Sequence, residues 1–306
     1  MDPRVLFGSR RRKTGAVTMA WVTACFGAMG CAQAPRGAVA QTTPHSPAHV
    51  VVILMENHEY SSIIGSSRAP YVNGLARRSV LLTHDYAVRH PSLPNYLALT
   101  GGATFGITDD CTRCHVHSAN VVDQLEKHGL SWRAYMEGLP APCAKVAFSG
   151  GYAKKHDPFL YYDDIRNNSK RCRNVVPLSR LTNDLSGGRL PRFAWVTPNL
   201  CHDMHDCSVR TGDRWLSTWV PKILPALQPD GLLVLTWDEG DTDAGCCSVA
   251  HGGHVATIIA GPGAGRGVRL STRSDHYSIL RLVEAAFGLD YVKRAASAPR
   301  ITGYRR

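Results

Sequence analysis

The run HVVVILM at residues 49–55 constrains the fold more than any other stretch of the chain. A continuous β-branched and aliphatic run with no polar alternation is a strand buried on both faces, as in a parallel sheet with helices on each side. It stops abruptly at Glu56 and Asn57. The run GLLVLTW at residues 231–237 repeats the pattern and stops at Asp238 and Glu239. Similar strands are predicted over residues 192–197 and 255–260, ending at Pro198-Asn199 and Gly261-Pro262. Helical periodicity separates them at residues 120–127, 215–227 and 278–287, with Gly288 as the stop signal of the last. Strands alternating with helices predict one α/β domain over residues 49–306 with a mostly parallel central sheet. No internal repeat or domain boundary is visible.

The 306 residues are 44% apolar and 19% charged, a balance that supports a real core and excludes extended disorder. The N-terminus reads as an export signal over residues 1–40. A basic cluster (Arg10, Arg11, Arg12, Lys13) precedes an apolar stretch at 15–30, and Ala38-Val39-Ala40 forms an A-x-A cleavage pattern. The apolar stretch is short for a membrane span. Ala28-Met29-Gly30-Cys31 forms a degenerate lipoprotein box, and Ser9-Arg10-Arg11 a weak twin-arginine signal. A polar linker follows at residues 41–48. Removing residues 1–40 takes away six basic residues and Asp2, so the net charge falls from +11 to +6. With no basic stripe interleaved with aromatics, nucleic acid is not an expected partner. A basic face still favours anionic substrates or peripheral contact with anionic lipid.

Eight cysteines follow residue 40: Cys111, Cys114, Cys143, Cys172, Cys201, Cys207, Cys246 and Cys247. An even number in an exported chain predicts disulfides, with pairing open. Adjacent Cys246 and Cys247 are expected each to reach a distant partner. Cys111-Thr-Arg-Cys114-His115 also matches a c-type haem attachment pattern.

Ligands of open α/β sheets bind beyond the carboxyl ends of the strands, where Glu56, Asn57, Asp238 and Glu239 are delivered. Three carboxylates gathered there repel one another unless a cation sits between them, and their hard oxygens suit a divalent ion. Several of the fourteen histidines lie in polar loops: His90, His156, His202, His205, His251 and His254. Such residues serve as ligands, general acids or hydrogen-bond donors. Asp203 and Asp206 flank His205, so that loop holds both a proton donor and a carboxylate to orient it. The segment HPSLPNY at residues 90–96 places Ser92 just before a helix start at Pro94 and Asn95.

The segments VVILMENHEY, HPSLPNYLALTGG, YAKKHDPF, PNLCHDMHDCSVRTGDRWL, LLVLTWDEGD, GGHVATIIAGPG and DHYSILRLVEAAFGL resemble, in order, the bacterial phosphoesterase family of secreted acid phosphatases and phospholipases C. The likeness is strongest to its short acid-phosphatase branch, some members of which act on phosphoinositides. The resemblance implies an alkaline-phosphatase-like α/β/α sandwich and metal-assisted transfer of a phosphoryl group to an enzyme hydroxyl. It implies that Glu56, Asn57, Asp238 and Glu239 bind a divalent metal ion and that Ser92 is the nucleophile. Asn95 and His254 would contact substrate, and His156 and His205 would act at the phosphate. The implied substrate is a small phosphorylated compound or a phospholipid head group.

Sulfatases of the same superfamily need arginine where this chain has Tyr96, which sets them aside. A phospholipase C-type phosphodiesterase is the alternative, and the chain lacks the extra C-terminal domains common in the large ones. A non-enzymatic exported binding lipoprotein or haem carrier is the second alternative.

Overall fold

A computed structural model describes residues 46–305. The export signal, the lipoprotein box and most of the linker lie outside the described residues. The strands are β1 (Val50–Met55), β2 (Val80–Tyr86), β3 (Trp132–Met136), β4 (Phe148–Ser149), β5 (Tyr152–Ala153), β6 (Val175–Pro177), β7 (Phe193–Thr197), β8 (Leu232–Trp237), β9 (His254–Ala260), β10 (Val268–Leu270) and β11 (Ser274–Asp275). The helices are α1 (Tyr60–Ile63), α2 (Pro70–Arg78), α3 (Ser92–Gly101), α4 (Val121–Lys127), α5 (Asp163–Arg166), α6 (Ser169–Cys172), α7 (Ser179–Ser186), α8 (Val209–Ile223) and α9 (His276–Phe287).

The main sheet has the order β10-β2-β9-β8-β1-β7-β3-β6, with β11 beside β2, while β4 and β5 form a separate hairpin. Every pairing in the main sheet is parallel except those of β9, which runs antiparallel to both β8 and β2. The mostly parallel sheet expected from the apolar runs is therefore present. β1 shows why its sequence lacks polar alternation. Val50, Val52 and Leu54 enter one core with residues of α3, α4 and α9. Val51, Ile53 and Met55 enter the opposite core with residues of α2, α7 and α8. Both faces are covered, so both sets of side chains must be apolar.

The ends of the helices follow local chemistry. Asn120 caps α4 through a capping box with Asp123. Asp275 caps α9 in the same way with Ser278, and Gly288 ends it in the left-handed region at φ 68°. α8 begins earlier than its periodicity predicts, because Ser208 caps it by accepting from the Thr211 N–H, and residues 224–227 continue as a 3₁₀ turn.

The cysteines pair locally: Cys111–Cys114, Cys143–Cys172, Cys201–Cys207 and Cys246–Cys247. The last pairing corrects the expectation of distant partners. Left-handed backbone at Cys247 (φ 61°) and Ser248 (φ 65°) turns the chain back, so that Cys246 and Ala250 exchange backbone hydrogen bonds. With Cys111 and Cys114 joined to each other, neither sulfur is free to attach haem. No helix among the described residues is long and apolar enough to cross a membrane.

Candidate active site

Register sets the centre of the site. β1 pairs with β8 up to Met55 opposite Trp237, so the next residues, Glu56 and Asp238, leave the sheet side by side. Glu56, Asp238 and Glu239 are buried. One Asp238 oxygen accepts from the backbone N–H groups of Asn57 (3.0 Å) and Glu239 (2.7 Å). The other Asp238 oxygen, Oδ2, and the Asn57 Oδ1 are buried without a hydrogen-bond partner.

α3 supplies the hydroxyl groups. Ser92 is its first residue, two positions earlier than the predicted start. The Ser92 Oγ donates toward Glu56 Oε2 at 3.2 Å and Glu239 Oε1 at 3.3 Å. One turn on, the Tyr96 hydroxyl donates to the second Glu56 oxygen. The tyrosine ring stacks on His156 at 5.3 Å between centroids.

His156 is buried between two acids, with Nε2 3.2 Å from Glu56 and Nδ1 3.3 Å from Asp203. Burial pushes the imidazole pKa down, but Glu56 and Asp203 outweigh it and raise it to about 9. Burial pushes Glu56 up, and His156 together with the Tyr96 hydroxyl brings it below the ordinary carboxylate value. Asp238 has no such cation. Burial, then Glu56 and Glu239, push it well above the ordinary value. The His276 Nε2 donates to the Asp238 carbonyl at 2.6 Å.

The loop after β7 carries His205 to the rim. Its Nδ1 lies 2.7 Å from Asp206 and its Nε2 3.1 Å from the Lys155 ammonium. Lys155 also donates to Asp110 at 3.0 Å, and the other Asp110 oxygen accepts from the Leu93 N–H at the start of α3. On the opposite side, His90 Nδ1 is 2.5 Å from Glu239.

The structure thus brings together Glu56, Asn57, Ser92, His156, Asp238 and Glu239, with His205 at the edge. It does not bring Asn95 and His254 into the same cluster. The Asn95 Oδ1 accepts from the Val88 and Arg89 N–H groups, and its amide donates to the Arg89 and Pro91 carbonyls. His254 bonds the Thr83 carbonyl and stacks on Tyr60 at 4.5 Å. Sequence reasoning assigned no role to Tyr96, Lys155 or Asp110. Tyr96 was within reach, since position i+4 from Ser92 shares its helix face. Asp110 comes from an irregular loop whose course no periodicity encodes.

Two overlapping donor sets share Glu56. One is Glu56, His156 and His205, whose candidate ligand atoms lie within 4.8 Å of one another. The other is the oxygen set Glu56, Asn57, Asp238 and Glu239. The oxygen set fits a hard divalent cation better. Asp238 Oδ2 and Asn57 Oδ1 of that set are buried without a hydrogen-bond partner and are hard oxygen donors, whereas the His156 Nε2 of the other set, unpartnered as well, is a softer nitrogen.

A mostly parallel sheet with helices on both faces is the architecture of alkaline phosphatase superfamily structures, and here its acid-tipped strands face a helix-borne serine. The chain belongs to the Phosphoesterase family, whose profile matches residues 66–290. It is 34% identical over 259 residues to the phosphatidylinositol-3-phosphatase of Mycobacterium tuberculosis, covering 83% of this chain and 82% of that one. It is 31% identical to an acid phosphatase of Aspergillus fumigatus, over 84% of this chain but 60% of that longer protein. A solved alkaline phosphatase superfamily structure from Vibrio parahaemolyticus superposes with a TM-score of 0.56 at 14% identity, covering 85% of this chain and 72% of that one.

Proposed function

We propose that the protein is an exported, metal-dependent acid phosphatase that hydrolyses phosphate monoesters, phosphoinositides among them, through a phosphoserine at Ser92. The observation that carries this reading is the Ser92 Oγ, held 3.2 Å and 3.3 Å from two carboxylates beside unpartnered acid and amide oxygens. Glu56, Asn57, Asp238 and Glu239 would hold a divalent cation, which supplies charge neutralisation and a lowered serine pKa. The Ser92 Oγ attacks phosphorus while its proton passes to the adjacent carboxylate pair. The bond from phosphorus to the substrate oxygen breaks, and His205 at the rim protonates the leaving alkoxide. His205 recovers that proton from the water that hydrolyses the phosphoserine, and the Lys155 ammonium, 3.1 Å from the His205 Nε2, positions the ring. Buried His156 supplies positive charge beside the equatorial oxygens. Water then hydrolyses the phosphoserine. Export is supported by the N-terminal signal pattern and the four disulfides, since such bonds persist outside the reducing cytosol.

The test measures hydrolysis of p-nitrophenyl phosphate, its bis-ester and a phosphoinositide, with and without a chelator. Turnover of the monoester is expected, lost in chelator, in Ser92→Ala and in Asp238→Ala. Faster hydrolysis of the bis-ester would replace the monoesterase with a phosphodiesterase. Full activity in either variant would overturn the mechanism.

A further inference from the structure

A cavity of about 530 Å³ adjoins the catalytic cluster on the His90 side, within the roughly 300–1,000 Å³ typical of small-molecule sites. His90 belongs to both: its ring lines the cavity and its Nδ1 lies 2.5 Å from Glu239. Arg89 also lines the cavity, three residues before Ser92. Arg294 enters from the segment after α9, with its guanidinium 6.0 Å from the Tyr277 ring centre. His251 lines it from the segment that pairs with the backbone just before Arg89. Both arginines and His251 are exposed, and the charge of Arg294 partly offsets the burial of the Asp275 carboxyl. One acid, Asp243, lines the cavity too; its side chain is 94% exposed and lies 3.9 Å from the His90 Nε2.

The wall carrying His251 is held in place. The His251 N–H donates to the Val88 carbonyl at 2.9 Å, and the Gly252 N–H donates to Ala87 at 2.9 Å. A side chain at Gly252 would strike the Arg89 backbone, whose nitrogen lies 2.6 Å from the position of an added Cβ. Paired backbone hydrogen bonds between Cys246 and Ala250 close the same loop. Two exposed guanidiniums and an imidazole on fixed backbone, beside a phosphoryl-transfer centre, are arranged for an anion that arrives with the substrate.

Resting on the phosphomonoesterase reading, we infer that this cavity is a specificity subsite: Arg89, His251 and Arg294 bind a second phosphate or phosphodiester on the part of the substrate that is not transferred. The favoured substrate is therefore a phosphomonoester of a polyol or lipid head group bearing another phosphorus anion.

The test compares wild type with Arg89→Gln/Arg294→Gln, which alters exposed side chains outside the catalytic cluster. Three substrates are used: p-nitrophenyl phosphate, glucose 1,6-bisphosphate, and dioctanoyl phosphatidylinositol 3-phosphate. The double variant should lose about tenfold or more in kcat/KM on both doubly anionic substrates, chiefly through KM, with p-nitrophenyl phosphate changed less than about twofold. A loss confined to the lipid identifies the head-group phosphodiester as the ligand, and an equal loss on both identifies any second phosphate. Equal change on all three substrates overturns the subsite. Calorimetric binding separates this outcome from failure of the catalytic reading. Ser92→Ala protein should bind glucose 1,6-bisphosphate about tenfold tighter than glucose 1-phosphate, and the arginine substitutions should remove the difference. Absence of that preference overturns the subsite, whereas its presence without turnover by wild type overturns only the catalytic assignment.

Discussion

Asp238 is fully buried, accepts two backbone N–H groups through one oxygen, and leaves the other oxygen unpartnered beside Glu56 and Glu239. Such a group destabilises the metal-free fold in exchange for a binding site. Asp238→Asn keeps the accepting oxygen and removes the like charge. The chelated variant is expected to melt about 2–6 °C above chelated wild type, the equivalent of roughly 1–2 kcal/mol in a chain of this size. Added divalent cation should raise the wild-type midpoint and leave the variant unmoved. Thermal melts with EDTA and with excess magnesium or zinc check both; a variant less stable than chelated wild type would show that Asp238 is not held against repulsion. The acids of this cluster were legible in the sequence because each ends a strand whose apolar run is unmistakable. Asn57 was legible for the same reason, whereas Ser92 and His156 needed the family resemblance to acquire their roles. Lys155 and Asp110 were not assigned because their partners lie 50 and 17 residues away, a distance over which no local pattern reports a contact.

Pro91 precedes α3 without offering a side-chain cap, so the first turn is held by other means. Asn95 reaches back from within the helix to the backbone of residues 88, 89 and 91, while Asp110 takes the Leu93 N–H from outside. Together they fix the turn that presents Ser92. Asn95→Ala strips the Val88 and Arg89 N–H groups of their partner and should cost about 2–3 kcal/mol in urea denaturation. It should also reduce kcat by about 100-fold, because small displacements of a nucleophile are expensive in rate. Lower stability with unchanged kcat would show that Asn95 supports the loop without placing Ser92. The helix itself was legible at this scale; the direction of β9 was not. An apolar run reads the same in either direction, and its antiparallel pairing shows only in the sixteen residues between β8 and β9, which contain no crossover helix. The Cys246–Cys247 bond was unreadable for a related reason, since it depends on left-handed backbone at residues that are not glycine.

Across the whole molecule, buried acids outside the site tie stability to pH. Asp85, at the β2–β9 junction, is fully buried and accepts from the hydroxyls of Thr257 (2.5 Å) and Ser274 (2.7 Å). No cation offsets its burial and Asp275 adds a like charge, so its pKa is pushed up to about 7. Glu284, buried in α9, accepts from the Val292 N–H at 2.9 Å. Burial, only partly offset by that bond and by Arg281, pushes it up to about 8. Both carboxyls hold a proton more tightly folded than unfolded. Their contribution is complete below their ordinary values near pH 4, declines as pH rises, and is lost above pH 7 and 8. His276 acts in the opposite sense. Burial lowers its pKa to about 4, so its contribution is present above pH 6.5 and lost as pH falls through that interval. Between pH 8 and pH 5 these two carboxyls titrate over a wider span than His276, and burial lowers His58 and His254 in its sense too. The carboxyls favour acid conditions by an amount on the order of 2–5 kcal/mol, against which the imidazoles work. Chelated protein should therefore show a higher thermal midpoint at pH 5 than at pH 8. Asp85→Asn/Glu284→Gln should be flatter across the same range, which separates these two groups from the acids of the site. A wild-type midpoint at pH 8 equal to or above that at pH 5 would mean that both carboxyls are already ionised in the folded protein at pH 5.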